Sequence, residues 1–122
     1  MGNYKVLVID DSPFIFKAVK KALEPNGFEI TGHGENGKLG LELYKQNKPD
    51  VITLDVTMPV MDGLETAKAL LQTDPSVKIV MLSAMGDDDL IAAAKNIGVK
   101  SFLSKPFKSE ELLNAINNVL SI

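Results

Sequence analysis

The sequence predicts a doubly wound α/β fold, in which a parallel sheet is covered by helices on both faces. Three observations carry that expectation. Short runs rich in Val, Ile and Leu alternate with amphipathic stretches along the whole 122 residues. The strand-like runs are continuously apolar, as strands buried on both faces are. Aspartates and a serine close several of them, at the strand ends where an open parallel sheet binds its ligands.

The first strand is expected at 5–10, "KVLVID". Ser12 caps the following helix and Pro13 opens it, since proline loses nothing where the N–H has no helical partner. Phe14, Ile15, Ala18, Val19, Ala22 and Leu23 recur at helical spacing, and "EPNG" stops the helix. "FEIT" (28–31) reads as a short second strand, and "GKLGLELYKQN" (37–47) as a helix weakened by Gly40. "DVITLD" (50–55) is a third strand, again ending in aspartate, and "GLETAKALLQTD" (63–74) a helix closed off by Pro75. "KIVMLS" (78–83) is a fourth strand, followed by the helix "DDLIAAAKNIG" (88–98) with Gly98 as its cap. "SFLS" (101–104) is the fifth strand, and Ser109 caps the last helix, "SEELLNAINNVL" (109–120).

Composition narrows the function classes. Net charge is −3, and the 13 basic residues are scattered, whereas nucleic-acid binding needs a concentrated positive patch. Without cysteine there is neither a disulfide framework nor a thiolate zinc site. No apolar run approaches the roughly 20 residues of a membrane span. "MGNYKV" lacks an apolar signal core and has Val6 where myristoylation wants Ser or Thr. A single domain over 1–122, in the cytoplasm and not inserted in a membrane, is the expectation.

If the strand order is 2-1-3-4-5, a flavodoxin-like three-layer (βα)5 sandwich, then strands one and three are neighbours and the crevice opens between them. Asp10 and Asp11 close strand one, Asp55 closes strand three, Ser83 closes strand four and Lys105 follows strand five. Clustered carboxylates with no histidine or cysteine among them suit a hard cation that keeps several waters, Mg²⁺. Lys105 can hold a phosphate oxygen and Ser83 offers a hydroxyl. Together these form a phosphoryl-transfer arrangement in which an aspartate can be the nucleophile.

"VIDDS", "LDVTMPVMDG", "LSAMG" and "SFLSKPF" follow one another in order, at strand ends. In this the chain resembles, over essentially all its length, the receiver domains of two-component response regulators, and especially the stand-alone chemotaxis regulators. The resemblance implies that Asp55 is the phosphorylated aspartate. It implies that Mg²⁺ is held by Asp11 and Asp55 directly, by Asp10 often through water, and by the backbone carbonyl of Thr57. By the same resemblance Lys105 and Ser83 bind the phosphoryl group, Ser83 and Phe102 form the switch, the Lys105–Pro106 bond is cis, and Met58 and Pro59 begin the turn that "MDG" completes. Phe102 stands where some chemotaxis regulators carry tyrosine, and "GDDD" (86–89) departs from the pattern.

The implied protein is a signalling switch, not an enzyme acting on a separate substrate. Its phosphoryl donor would be a histidine kinase or phosphotransfer protein. Its output protein, the flagellar motor switch or another, would sit on the face formed by the fourth helix, fifth strand and fifth helix. It is expected to be a monomer. A phosphorelay intermediate and a receiver fragment of a larger transcriptional regulator share the same motifs. An aspartate-dependent Mg²⁺ phosphatase fits less well, since it needs D-x-D on the first strand where this chain has "DDS", and a cap insertion that is missing.

Other residues have plainer expectations. Asp87, Asp88 and Asp89 suit a helix N-terminus, where the dipole favours acids. His33 is expected as a solvated residue in the loop after strand two. Met58, Met61, Met81 and Met85 read as core and turn fillers. Phe102 is open to two readings, core packing and a moving switch.

Overall fold

Strands with no polar face must be covered twice, and the chain meets that demand by winding helices onto both sides of one sheet. The computed structural model describes residues 4–58 and 60–121. Within them run β1 (Tyr4–Ile9), α1 (Pro13–Leu23), β2 (Phe28–Gly34), α2 (Gly37–Asn47), β3 (Val51–Asp55), α3 (Gly63–Thr73), β4 (Ile79–Ser83), α4 (Asp88–Ile97), β5 (Ser101–Ser104) and α5 (Ser109–Leu120). The strands pair in parallel in the order β2-β1-β3-β4-β5, the flavodoxin-like order expected from the sequence. No described helix is long and apolar enough to cross a membrane.

Two cores result. Val6, Val8, Val19, Leu23, Leu112 and Ile116 pack under α1 and α5. Leu7, Ile9, Ile52, Leu54, Leu70 and Met81 pack under α2, α3 and α4. Alternation along β1 therefore sends Val6 and Val8 one way and Leu7 and Ile9 the other. Each such side chain, wholly buried, contributes about 1.5–3 kcal/mol relative to exposure.

Helix ends follow their capping chemistry. The Ser12 hydroxyl accepts from the Ile15 amide ahead of Pro13. Asp62 and Glu65 exchange bonds across the first turn of α3, Glu65 N–H to Asp62 at 2.8 Å and Asp62 N–H to Glu65 at 3.4 Å. Gly98 closes α4 at φ 114°, a conformation that favours glycine. At α5 the sequence reading is corrected by one residue. Lys108 occupies the cap, its N–H donates to the Glu111 carboxylate at 2.8 Å, and Ser109 is the first helical residue.

The larger corrections are at β2. The strand continues past "FEIT" through Gly32, His33 and Gly34. Its register against β1 jumps from Val6↔Ile30 to Leu7↔Gly32, which leaves Thr31 as an extra residue, a bulge. His33 is thus a half-buried strand residue and not a solvated loop residue. The flanking glycines, which look like loop punctuation, serve a close approach of strand and helix. A Cβ on Gly34 would lie 2.8 Å from the Gly40 Cα, and a Cβ on Gly40 would lie 2.5–2.9 Å from three atoms of the buried Ile9 side chain. Gly40 is therefore the residue that seats α2 on the sheet.

That geometry reverses the helix-propensity expectation. Alanine favours a helix interior over glycine by about 1 kcal/mol, yet Gly40→Ala must displace Ile9 in a filled core, which costs about 1–3 kcal/mol. Gly40→Ala is expected to lower stability. A urea-unfolding midpoint below that of the parent chain, at unchanged m-value, is the measurement that checks it.

Candidate functional site

Strand order alone brings the ends of β1 and β3 side by side, with Ile9 paired to Leu54. The chain turns at both ends, and the residues just beyond the pairing are Asp10 and Asp55. Asp10 is wholly buried and Asp55 nearly so, while Asp11 reaches solvent. One carboxylate oxygen from each of Asp10, Asp11 and Asp55 comes within 4.8 Å of the others. No other group of three or more His, Cys, Asp or Glu side chains among the described residues meets that test.

The opposing charge comes from the far side of the sheet. Lys105 N–H donates to the Ser83 carbonyl at 2.7 Å, which carries the β4–β5 pairing one step past the strand. From there the Lys105 ammonium donates to Asp55 Oδ1 at 2.9 Å and lies 3.6 Å from Asp10 Oδ2. The Lys105–Pro106 peptide is cis. One ammonium faces three carboxylates, so the cluster stays negative.

The electrostatics follow from burial. Desolvation is the largest influence on Asp10 and lifts its pKa from 3.8 to about 6; the charges of Asp55 and Asp11 push the same way, against the Ser12 amide and Lys105. Desolvation also raises Asp55, opposed by its bond to Lys105 and by the Thr57 N–H at 3.3 Å. Asp10 Oδ1 accepts from the Ser12 amide at 2.8 Å, but Oδ2, equally buried, has no hydrogen-bond partner. That oxygen is met only by the Lys105 ammonium at 3.6 Å, which is shared with Asp55, so its burial stays costly. An all-oxygen set with one buried oxygen lacking a hydrogen bond and surplus negative charge fits a hard divalent cation such as Mg²⁺.

The remaining expected residues are distributed around this pit. Ser83 is buried at the end of β4 and shares β4 with Met81, whose register partner in β5 is Phe102. Phe102 is half-buried against the core under α4, with the Lys95 ammonium 5.7 Å from its ring centroid. Thr57 is exposed in the loop after β3. Met58 is buried, and Pro59 lies outside the described residues. Asp88 and Asp89 occupy the first turn of α4 as expected, and the Asp87 carboxylate accepts from the Ala84 amide at 2.7 Å. Met81 is core, but Met85 is fully exposed on that same loop and fills nothing.

Sequence reasoning missed His33. Its Nε2 lies 2.8 Å from the Asp10 backbone carbonyl, and its ring stacks on Phe16 at 4.1 Å and 2°. The available signal was the unusual interruption of "FEITGHGENG", which a one-residue bulge would have explained.

Known proteins are similar to this chain in sequence and in fold. Residues 6–117 match the response regulator receiver domain. The chain is 40% identical to the chemotaxis protein CheY of Bacillus subtilis over 118 residues, covering 97% of this chain and 98% of that one. It is 38% identical to CheY of Thermotoga maritima over 119 residues, covering 98% of both. Among solved structures, the CheX–CheY–BeF3–Mg²⁺ complex from Borrelia burgdorferi superposes with a TM-score of 0.90 at 30% identity, covering 95% of this chain and 88% of that one.

The raised Asp10 pKa sets a stability prediction. Because the folded value, about 6, exceeds the unfolded one, the chain is favoured with Asp10 protonated, and that advantage fades as pH rises through 6. Asp10→Asn is therefore expected to stabilise the metal-free protein at pH 7 by roughly 2–3 kcal/mol. The gain should shrink as pH falls from 6 toward 4. Urea unfolding in EDTA across that range checks both the sign and the window.

Proposed function

The chain belongs to the response regulator receiver family, a family of signalling switches rather than conventional enzymes, and on that premise we propose that Asp55 is its phospho-acceptor and that phosphorylation controls the binding of an output protein. The observation that carries this reading is the pit itself, three carboxylates within 4.8 Å and the Lys105 ammonium 2.9 Å from Asp55. The donor is a phosphohistidine on a histidine kinase or phosphotransfer protein. Similarity to CheY along nearly the whole chain favours chemotaxis, with a flagellar motor component as the output.

The chemistry asks little of the protein beyond position and charge. A carboxylate oxygen of Asp55 attacks phosphorus while the bond from phosphorus to the donor breaks, and the donor leaves with the electron pair and takes up a proton. The product is an acyl phosphate, a mixed anhydride that water returns to carboxylate and inorganic phosphate. Lys105, already bonded to Asp55 Oδ1, is placed to neutralise a phosphoryl oxygen as the new bond forms. Asp10, Asp11 and Asp55, with the Thr57 carbonyl, would hold Mg²⁺, which when bound offsets the charge gathering on the phosphoryl oxygens.

Ser83 and Phe102 carry the signal outward in this reading. The Ser83 hydroxyl donates to the phosphoryl group, and Phe102 turns into the space that Ser83 leaves. The half-buried position of Phe102 supports this, since a small inward turn would complete its burial. The face of α4, β5 and α5 then changes for the partner. A ligand shifts such an equilibrium only by its differential affinity for the two states.

Acetyl phosphate with Mg²⁺ is expected to place one phosphoryl group on the protein and none on Asp55→Asn, as read by intact mass. Label on Asp55→Asn at the parent level would remove Asp55 from the role. Asp11→Ala is expected to weaken Mg²⁺ affinity by roughly ten- to a hundredfold, the scale of losing one charged contact of about 1.5–3 kcal/mol. Ser83→Ala should still accept the phosphoryl group while gaining little partner affinity from it, which a pull-down with and without beryllofluoride would read.

A further inference from the structure

We propose that His33 is a positioning residue for the metal-binding aspartates, its imidazole Nε2–H holding the Asp10 carbonyl and so fixing how the Asp10–Asp11 pair presents its carboxylates. The inference rests on the reading of the site as the Mg²⁺ and phospho-acceptor centre of a receiver domain.

The polar groups of Asp10 show how completely that residue is constrained. Its N–H donates to the Gly34 carbonyl at 2.9 Å, and its Oδ1 accepts from the Ser12 amide at 2.8 Å. Its carbonyl lies 2.8 Å from His33 Nε2. A carbonyl can only accept, so Nε2 carries the proton and donates. Three of the four groups are held, and the fourth, Oδ2, is buried without a hydrogen-bond partner on the side facing Lys105.

The Asp10 carbonyl belongs to the peptide unit that joins Asp10 to Asp11. That unit is planar, so whatever holds its oxygen also orients the Asp11 N–H and limits where the Asp11 side chain can point. β1–β2 pairing ends at Ile9↔Gly34. At the next position a side chain from β2 does what a further backbone donor would have done.

The bulge makes this possible. Strand residues alternate between faces, and one inserted residue reverses the alternation beyond it. Past Thr31, Gly32 and Gly34 face α2, lying close to Leu43 and Gly40, while His33, opposite Val8, faces α1. There its ring stacks on Phe16 at 4.1 Å and 2°, and Phe16 in turn donates its N–H to the Ser12 carbonyl at 3.1 Å. Were the strand regular through Thr31, His33 would fall opposite Ile9 and its imidazole would point toward α2, away from the Asp10 carbonyl.

Two variants of the full chain separate donor from ring. His33→Phe keeps a ring against Phe16 and removes the donor; His33→Gln keeps an N–H of comparable reach and removes the ring. Isothermal titration with Mg²⁺ alone, urea unfolding in EDTA and the Mg²⁺-dependent rise in Tm are the readouts. Losing a partner that orients a metal-binding residue costs about tenfold in affinity or more, so His33→Phe is expected to bind Mg²⁺ about tenfold more weakly, with an unfolding midpoint lowered because the buried Asp10 carbonyl loses its donor. His33→Gln should recover to within about threefold of the parent, because the donor is restored. Parental Mg²⁺ affinity in His33→Phe, or equal weakness in both variants, overturns the proposal. If His33→Phe does not fold, His33→Leu replaces it under the same criterion. A parent chain that shows neither heat nor a Tm shift with millimolar Mg²⁺ overturns the metal reading itself, and this inference falls with it.

Discussion

Holding like charges together inside a protein is the constraint on which this structure turns. Asp10 and Asp55 are both out of water, and Asp11 stands beside them. Such an arrangement costs folding free energy, since each buried carboxylate loses hydration that a single ammonium cannot replace for all of them. Much of the local architecture limits that loss. The amide of Ser12, whose hydroxyl caps α1, bonds one Asp10 oxygen, and Lys105 reaches across from just past β5 to bond Asp55. What is left over is one oxygen and an excess of negative charge, and those are the features that select a cation.

The surrounding scaffold is correspondingly stiff. β1 is covered on both faces, and its residues 6 to 9 are wholly buried. α2 touches the sheet through paired glycines, so neither strand nor helix has room to relax when charge appears at the strand ends. The freer elements lie on the opposite flank. β5 is four residues long and half-exposed, and Phe102 lies there beneath Lys95, an exposed side chain. Rigidity where charge must be held and slack where a signal must emerge is a sensible division for a switch.

Much of this was legible in the sequence because the relevant physics is periodic or terminal. Apolar runs buried on both faces, alternation with helices, and acids at strand ends gave the layers and the members of the acidic cluster, while the strand order entered as an assumption that the structure then met. Illegible features depended on a single residue of register or a single atom of clearance. Thr31 does not announce itself as a bulge, yet it turns His33 from a loop residue into a neighbour of Asp10. Gly40 looks like a flaw in a helix until Ile9 is placed beneath it. Ser109 looks like a cap until the Lys108 N–H is found bonded to Glu111. Spacing can specify which residues share an edge. It cannot say which backbone groups those residues leave unpaired.

The bond between Lys105 and Asp55 spans 50 residues, and β1 meets β3 with Val6 opposite Val51. Contacts this distant in sequence form only after long loops have closed, late and at an entropic cost that local structure does not share. A nascent or partly unfolded chain can hold its helices and its first βαβ unit, β1–α1–β2, and still possess no pit. Competence to receive a signal is therefore a property of the finished sheet alone, so the fold acts as its own quality check before information can enter it.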